Sequence, residues 1–378
     1  MLSKGERSVT TVAFDHQIFS AQQFGGIARY FCELAERVPK HEGWRSVVVV
    51  PLHFNEYLAA SKVRQLGCYL PKRVGRMGRL YRAVNAVAGP LLLRAAGADI
   101  VHRTYYTARP RPARGRLVVT VYDMIYEMFP QYFPKDDPTR EHKRRSVQAA
   151  DHVICISHST ADDLMRLLDV PPGKISVTHL GPSDLRSNLS LPAASDGRGA
   201  RPYFLFVGYR GGYKNFARLL AAYGTSPRLH RDFDLLAFGG GAFTADERAQ
   251  MSELKLRPGA VRHQSGTDAA LARAYAGAQV FVYPSEYEGF GLSPLEAMNC
   301  GCPVACSNTS SIPEVVGAAG EYFDPTSVDA IRAALERLAS DQECRQALIA
   351  AGLEQHQRFS WDRCAAETIA AYRTTLVA

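Results

Sequence analysis

At 378 residues, 46% of them hydrophobic, and with a net charge of +8, the chain is longer than one ordinary α/β core needs and is sized for two. No apolar run approaches the roughly 20 residues that span a bilayer, and the start, Met1-Leu2-Ser3-Lys4-Gly5-Glu6-Arg7, lacks the apolar core of a signal peptide. A cytoplasmic protein is expected, with its eight cysteines as free thiols, sparse and set in apolar runs such as Val153-Ile154-Cys155-Ile156.

The charge is unevenly spread. Between Ser61 and Thr120 thirteen Lys or Arg face a single acid, Asp99. Such a field suits nucleic acid, an anionic membrane or an ordinary solvated surface, and the absence of helix-turn-helix, zinc-finger or aromatic RNA-binding signatures argues against nucleic acid. From Val74, Met77, Leu80, Tyr81, Val84 and Val87 fall at helical spacing with Arg76, Arg79 and Arg82 on the flanks. That pattern fits a basic amphipathic helix at a membrane surface, or a domain helix with a solvated face whose start is weakened by Gly75 and Gly78.

In chain order, Val9 to Phe14 reads as a buried strand, and after Gln22-Gln23-Phe24 comes Gly25-Gly26. A helix follows, its apolar positions Ile27, Tyr30, Phe31, Leu34 and Val38 on one face. Strand, double glycine and helix let backbone N–H groups approach an anion, and a tight turn needing glycine explains the same residues. Further strands are expected at Val47 to Val50, Asp99 to His102, Leu117 to Val121, His152 to Ile156 and Ile175 to His179, separated by helix-compatible sequence, which argues for a parallel sheet. Asp123 stands just past the Val121 strand, where it can be functional or cap the next element. Ser159 with Asp162 reads as a helix start, with His158 in the turn before it.

Arg186 to Arg201 has linker composition, rich in Ser, Asn, Ala and Gly. Four parts are therefore expected: an N-terminal Rossmann-like domain over 1–185, a linker over 186–201, a second such domain over 202–358, and a last helix over 359–378 packing back toward the first domain. The second domain opens with the strand Tyr203 to Val207 and the loop Gly208-Tyr209-Arg210-Gly211-Gly212-Tyr213-Lys214-Asn215, followed by a helix from Phe216 to Tyr223. Its glycines and two cations suit a diphosphate, with Arg210 and Lys214 neutralising it; a solvated basic loop is the plainer alternative. Strands at Leu235 to Phe238 and Val280 to Tyr283 and helices from Asp246 and Asp268 lead to Tyr283–Pro303. There Glu288 and Glu296 flank a Gly-rich turn, and Ser293-Pro294 reads as an N-cap with proline at the first helical position. Both acids would then address one ligand at a helix N-terminus, where an anion is favoured. Val304 to Cys306 and Gly320 to Phe323 are further strands, Ser310 to Gly317 contains a short helix, and the tail from Ser327 is helical, its final helix opening at Trp361.

Cys300, Cys302 and Cys306 lack zinc spacing and read as small buried residues. Asp232-x-Asp234 precedes a strand rather than following one, so it is not expected to hold a metal, and a metal-independent site is expected.

Taken together, Gly-Gly-Ile-Ala-Arg at 25–29, Val-Gly-Tyr-Arg-Gly-Gly-Tyr-Lys-Asn at 207–215, Glu-Gly-Phe-Gly-Leu-Ser-Pro-Leu-Glu at 288–296 and Ser-Ser-Ile-Pro-Glu-Val-Val-Gly at 310–317 resemble retaining glycosyltransferases of family 4, and most of all the bacterial O-antigen mannosyl- and rhamnosyltransferases. The resemblance covers nearly the whole chain. It implies the α/β GT-B fold, two Rossmann-like domains facing each other across a cleft. It also implies transfer of a hexose, mannose or a deoxyhexose first, from a nucleotide diphosphate sugar to a glycan acceptor, lipid-linked, on the inner face of the cytoplasmic membrane. A GDP-sugar is favoured over UDP- or dTDP-sugars. By the same resemblance Glu296 holds the ribose hydroxyls and Glu288 the transferred sugar. Arg210 and Lys214 hold the diphosphate, backbone N–H groups of Phe290, Gly291, Leu292 and Ser293 and of Gly25 and Gly26 complete the phosphate site, and Asp123 is an acceptor-side or sugar contact. Transfer would proceed by front-face displacement without a protein nucleophile.

Where many relatives read His-Asp, this chain has Tyr122-Asp123, so Tyr122, His102 or a different mode of donor recognition replaces that histidine. A nucleotide-sugar epimerase and a non-catalytic nucleotide-sugar-binding protein share the fold and are the competing readings; nothing resembles the lysine segment of a pyridoxal-dependent phosphorylase.

Overall fold

The computed structural model describes residues 9–71, 78–190 and 201–377. The start of the basic segment at Val74–Met77, the residues Met1–Arg7 and most of the linker stretch lie outside the described residues. The chain divides into two compact units, Met1–Leu180 with Trp361–Ala378, and Gly181–Ser360.

The first unit is built on a parallel sheet of β1 (Thr10–Phe14), β2 (Trp44–His53), β3 (Gln65–Tyr69), β4 (Ile100–Arg103), β5 (Arg116–Val121), β6 (His152–Cys155) and β7 (Ile175–Val177), in the order β3-β2-β1-β4-β5-β6-β7. The second repeats the plan with β8 (Tyr203–Val207), β9 (Asp234–Phe238), β10 (Val261–Gln264), β11 (Val280–Tyr283), β12 (Val304–Ser307) and β13 (Gly320–Phe323), in the order β10-β9-β8-β11-β12-β13. Strands buried on both faces read as apolar runs, and β8 and β11 are apolar throughout, β1 and β5 over residues 12–14 and 117–119. β3 and β10 are edge strands, mostly half-exposed or exposed, which is why no apolar run announces them.

In each unit the strand order reverses once, between β1 and β4 and between β8 and β11. The chains leaving two adjacent strands there turn to opposite sides, which opens a crevice at the carboxyl ends of the strands. Residues 15–26 and 104–114 flank that point in the first unit, and residues 208–215 and 284–291 in the second.

The core of the second unit sets Phe204, Phe206, Leu235 and Val282 against Phe216, Leu219, Leu220 and Tyr223 of the helix Phe216–Gly224 and against Ile331, Leu335 and Leu338. Each such side chain contributes about 1.5–3 kcal/mol by leaving water. In the first unit the final helix, Trp361–Val377, lies on the helix Gly26–Arg37 and on β5 and β6. Its Tyr372 packs beside Trp44, ring centroids 5.9 Å apart, and its hydroxyl lies 2.7 Å from His102 Nδ1. The helix His158–Leu168 is capped by Ser157, whose hydroxyl accepts from Thr160 N–H, so His158 opens the helix rather than preceding it.

His102 is fully buried and its pKa is pulled down to about 3 by burial. It is neutral in the folded protein, whereas the unfolded chain takes up a proton below the ordinary value of 6.5. The unfolded state therefore binds more protons, and stability falls as pH drops from about 6.5 toward 3, by up to ~1.4 kcal/mol per pH unit from this residue. Urea melts at pH 7, 6 and 5 check this: the loss of stability with acid is expected to be shallower in His102→Gln, and parallel slopes would exclude His102 as its source.

Candidate active site

β8 ends at Val207, and the chain turns through Gly208 at φ 117° and Gly212 at φ 56°, conformations that a Cβ disfavours. Asn215, itself left-handed at φ 62°, ends the loop. Its side-chain Nδ2 donates to the carbonyls of Pro284 and Pro325 at 2.9 and 2.8 Å, and Glu286 N–H donates to Tyr213 O at 2.8 Å. The loops after β8 and β11 are thereby tied together at the point of strand reversal.

That bracing brings Lys214 to Glu288. The ammonium donates to both carboxylate oxygens, at 2.7 and 2.9 Å, and the Glu288 side chain is only 10% exposed. The backbone of Glu288 is held as well, its N–H by Ser310 Oγ and its carbonyl by Ser311 Oγ–H. Beneath the pair lies Tyr283, its phenol pushed far above the ordinary range by burial and then by the neighbouring Glu288 charge. The sequence expectation placed Lys214 on phosphate and Glu288 on sugar; here the two are partners of one another.

The helix after this turn is Leu292–Asn299, with Gly291 as its N-cap at φ 148°. Ser293 is therefore the second helical residue and not the cap, and Pro294 the third. Proline is tolerated there because the N–H it lacks has no partner within the first turn. No side chain caps this helix, so its first N–H groups and positive dipole end face the Gly289–Gly291 turn. Glu296 falls in the second turn rather than the first, half-buried, close enough to the buried Tyr275 to help raise its pKa after burial itself.

Arg210 sits differently from Lys214. Its side chain is 4% exposed, with Nε donating to Glu247 at 2.6 Å, Nη1 to the carbonyl of Gly239, and Nη2 to those of Gly241 and Ala242. The guanidinium also lies over the ring of Phe243, 4.7 Å from its centroid. Only one Nη1 hydrogen is left for a ligand. Gly239, Gly240 and Gly241 all have positive φ, and a Cβ on Gly240 would stand 2.6 Å from Gly208 O. Arg210 thus clamps a turn that only glycine can make. Its partner Glu247 escaped the sequence reading, although Thr244-x-x-Glu247 forms a complete capping box. Burial alone would raise the Glu247 pKa, but its hydrogen bonds from Arg210 and Thr244 N–H hold it below the ordinary range.

In the first unit, Gly25 N-caps the helix Gly26–Arg37 with no side-chain cap bond, and a Cβ on Gly26 would meet only open space. Asp123 Oδ1 accepts from Ile125 N–H at 3.0 Å, so it caps a short turn, and the buried Lys143 lies 3.9 Å away, donating to the Asp123 carbonyl and to Glu127. His102 does not stand in for the missing histidine: it is sealed in the core, with Nε2 2.8 Å from Thr120 Oγ1 and Nδ1 on Tyr372. Tyr122 is 7% exposed, and its hydroxyl donates to the carbonyl of Thr104 at 3.1 Å.

The cysteines and the aspartate pair singled out in the sequence have structural settings. Cys300, Cys302 and Cys306 are buried free thiols, Cys300 pushed up to about 12 by burial. Asp234 opens β9 between Arg257 and Arg262, at the opposite end of the sheet from the reversal loops, and Asp232 pairs with Arg231 at the surface.

Residues 24–182 match the family model described as Glycosyltransferase Family 4, and residues 192–355 that of glycosyl transferases group 1. The chain is 38% identical over 267 residues to the O-antigen chain mannosyltransferase B of Escherichia coli, a match covering 68% of this chain and 70% of the relative. Among solved structures it is similar to a sucrose-phosphate synthase from Thermosynechococcus elongatus, with TM-score 0.72 and 21% identity over 97% of this chain and 99% of that one. It is also similar to WaaG, a glycosyltransferase involved in lipopolysaccharide biosynthesis, with TM-score 0.68 and 18% identity over 96% and 99%. Two Rossmann-like units of the GT-B type, a glycine-rich turn at the strand reversal of the second, and these matches make the chain a member of glycosyltransferase family 4.

Proposed function

We propose that this glycosyltransferase moves a mannosyl residue from a nucleotide diphosphate sugar, GDP-mannose first, to a lipid-linked glycan acceptor during assembly of O-antigen or another cell-surface polysaccharide. The choice of sugar and pathway rests on the similarity to an O-antigen chain mannosyltransferase. The observation that carries the site is the Lys214–Glu288 pair set before the uncapped helix N-terminus with Glu296 behind it.

In this reading Glu296 accepts hydrogen bonds from the ribose hydroxyls, and the N–H groups at the start of the helix Leu292–Asn299 take the diphosphate. Lys214 shifts one or more of its N–H bonds from Glu288 to phosphate as the donor binds, which frees Glu288 oxygens for the sugar hydroxyls. Arg210 acts chiefly by holding the Gly239–Gly241 turn, with its one spare N–H for the ligand. In the first unit the Gly25–Gly26 turn is assigned to an anion and Asp123 to the acceptor side.

As the bond from anomeric carbon to phosphate oxygen lengthens, negative charge gathers on the departing diphosphate, where the Lys214 ammonium and the helix N–H groups lower the barrier. The acceptor hydroxyl attacks from the same face and gives its proton to the leaving phosphate oxygen, so configuration is retained and no protein nucleophile intervenes. The cations do the work that a divalent ion does elsewhere. The enzyme works at the inner face of the cytoplasmic membrane, held peripherally by its basic N-terminal unit.

Three outcomes are expected. Lys214→Ala lowers kcat by about 10²–10³, the cost of losing one preorganised charge stabiliser, and full activity would sink the assignment. Glu296→Gln weakens GDP about 10–100-fold in calorimetry, since a hydrogen bond to a charged group is worth about 1.5–3 kcal/mol, and leaves pyrophosphate binding unchanged; equal losses for both ligands would remove Glu296 from the ribose. With EDTA present, activity persists and NMR of the first-formed product shows the donor's own anomeric configuration. Inversion, loss of activity with EDTA, or isomerised donor sugar formed without acceptor would each contradict the proposal.

A further inference from the structure

At the strand reversal of the first unit lies a cavity of about 580 Å³, between the segment after β1, the segment after β4 and the helix Gly78–Ala95. That volume suits a ligand rather than a few waters. Its lining is two-natured. Ala86, Pro90, Leu91, Leu93, Val101 and Pro110 are apolar, whereas Arg94, Arg103, Arg109, Arg111 and Arg114 bring five guanidiniums against one carboxylate, Asp15.

The carboxylate is fixed in place, Asp15 Oδ1 accepting from Thr104 N–H at 2.8 Å and from its hydroxyl at 2.7 Å, and its charge acts on Arg103, which leaves the cations in excess. Of the cations, Arg111 pairs with Asp151, and Arg109 donates to His16 Nε2. Arg94 and Arg114 make no ion pair among the described residues. Arg103 is 4% exposed; its Nη2 donates to the carbonyls of Arg109 and Pro110, and its Nη1 is buried with no hydrogen-bond partner. Five arginines gathered at one cavity with a single carboxylate among them repel one another, and an anion held between them removes that cost.

The helix that forms one wall carries a second signal. Leu80, Val87 and Leu91 are 45%, 71% and 65% exposed and are spaced by seven and four residues, which puts them in one stripe along its outer face. The opposite face is fixed: Asn85, fully buried, donates to Leu52 O and Ser20 Oγ and accepts from Leu52 N–H. The exposed stripe is therefore no accident of a loosely placed helix, and Leu91 is where it meets the cavity.

We propose that this cavity binds a phosphate-headed, long-chain lipid, its phosphate among Arg94, Arg103 and Arg114 and its chain leaving past Leu91 along Val87 and Leu80. The site deepens the reading of a lipid-linked acceptor and rests on it for its place in the reaction, but not for its chemistry. An anion alone would explain the arginines and not the stripe; an apolar partner alone would explain the stripe and not the arginines.

The test is calorimetry of the full chain with dodecyl phosphate as a monomer in solution, which leaves out adhesion to a charged bilayer, beside inorganic phosphate and dodecanol. Dodecyl phosphate is expected to bind at least tenfold more tightly than either. Leu91→Asp, at an exposed position, should abolish that margin while leaving inorganic phosphate unchanged, and Arg94→Ala with Arg114→Ala should weaken both phosphates. Arg103→Gln, its fold checked by urea melt, should lose dodecyl phosphate and keep GDP. Equal binding of the three probes, no binding, or dodecyl phosphate binding indifferent to these substitutions overturns the proposal. GDP titrated into the same samples separates the two readings: GDP without dodecyl phosphate binding refutes the cavity alone, and dodecyl phosphate binding without sugar transfer to any lipid-linked acceptor refutes the proposed function alone.

Discussion

A lysine ammonium held by both oxygens of a nearly buried carboxylate is the interaction around which the second unit's site is arranged. Lys214 and Glu288 lie on loops that follow different strands, so their contact exists only because Asn215 and Glu286 lock those loops together. The pair is costly to dissolve in one direction only. Removing the amine strands a carboxylate away from water, whereas a phosphate arriving at the amine exchanges one anion for another and lets the carboxylate turn to hydroxyl donors. A site that is neutral when empty can in this way present a cation to a ligand without first paying to keep that cation unpartnered.

The two cations of the β8 loop, equal on paper, do different work. Lys214 is held by the Glu288 carboxylate; Arg210 is withdrawn into a clamp on three consecutive left-handed glycines. The planar fork of arginine suits that task because it can meet a carboxylate and several carbonyls at once, which a lysine cannot. Turn shape at the end of β9 is then set by a side chain from the loop that follows β8.

Much of this was legible in the sequence. Strands buried on both faces announce themselves, and Tyr203–Val207 and Val280–Tyr283 coincide with the apolar runs. Two of the edge strands do not: Gln65–Tyr69 and Val261–Gln264 pair on one side only, are half-exposed or exposed, and need no apolar run. The glycine-rich turns and the residues Glu288, Glu296 and Lys214 could be named from spacing and resemblance. What spacing cannot supply is partnership. Whether a histidine at a strand end faces solvent or a core depends on what covers it, and His102 is covered by Tyr372, 270 positions away. Helix starts misled for a related reason: serine before proline is a good cap by propensity, but the left-handed Gly291 had already begun the helix, and Ser157 captured the N-terminus assigned to Ser159.

The discontinuous make-up of the first unit has a consequence for its biogenesis. Its last helix, Trp361–Val377, is synthesised after the whole of Gly181–Ser360. Until it emerges, Trp44 lacks its ring neighbour Tyr372, His102 lacks one of its two partners, and the apolar flank of Gly26–Arg37 lies open to water. A nascent chain at about 5–20 residues per second exposes that surface for roughly 10–40 s. The second unit, contiguous in sequence, can close on itself first, so the ribosome delivers a finished C-terminal unit tethered to an N-terminal one still waiting for its final piece, the stretch of synthesis in which a chaperone has most to hold.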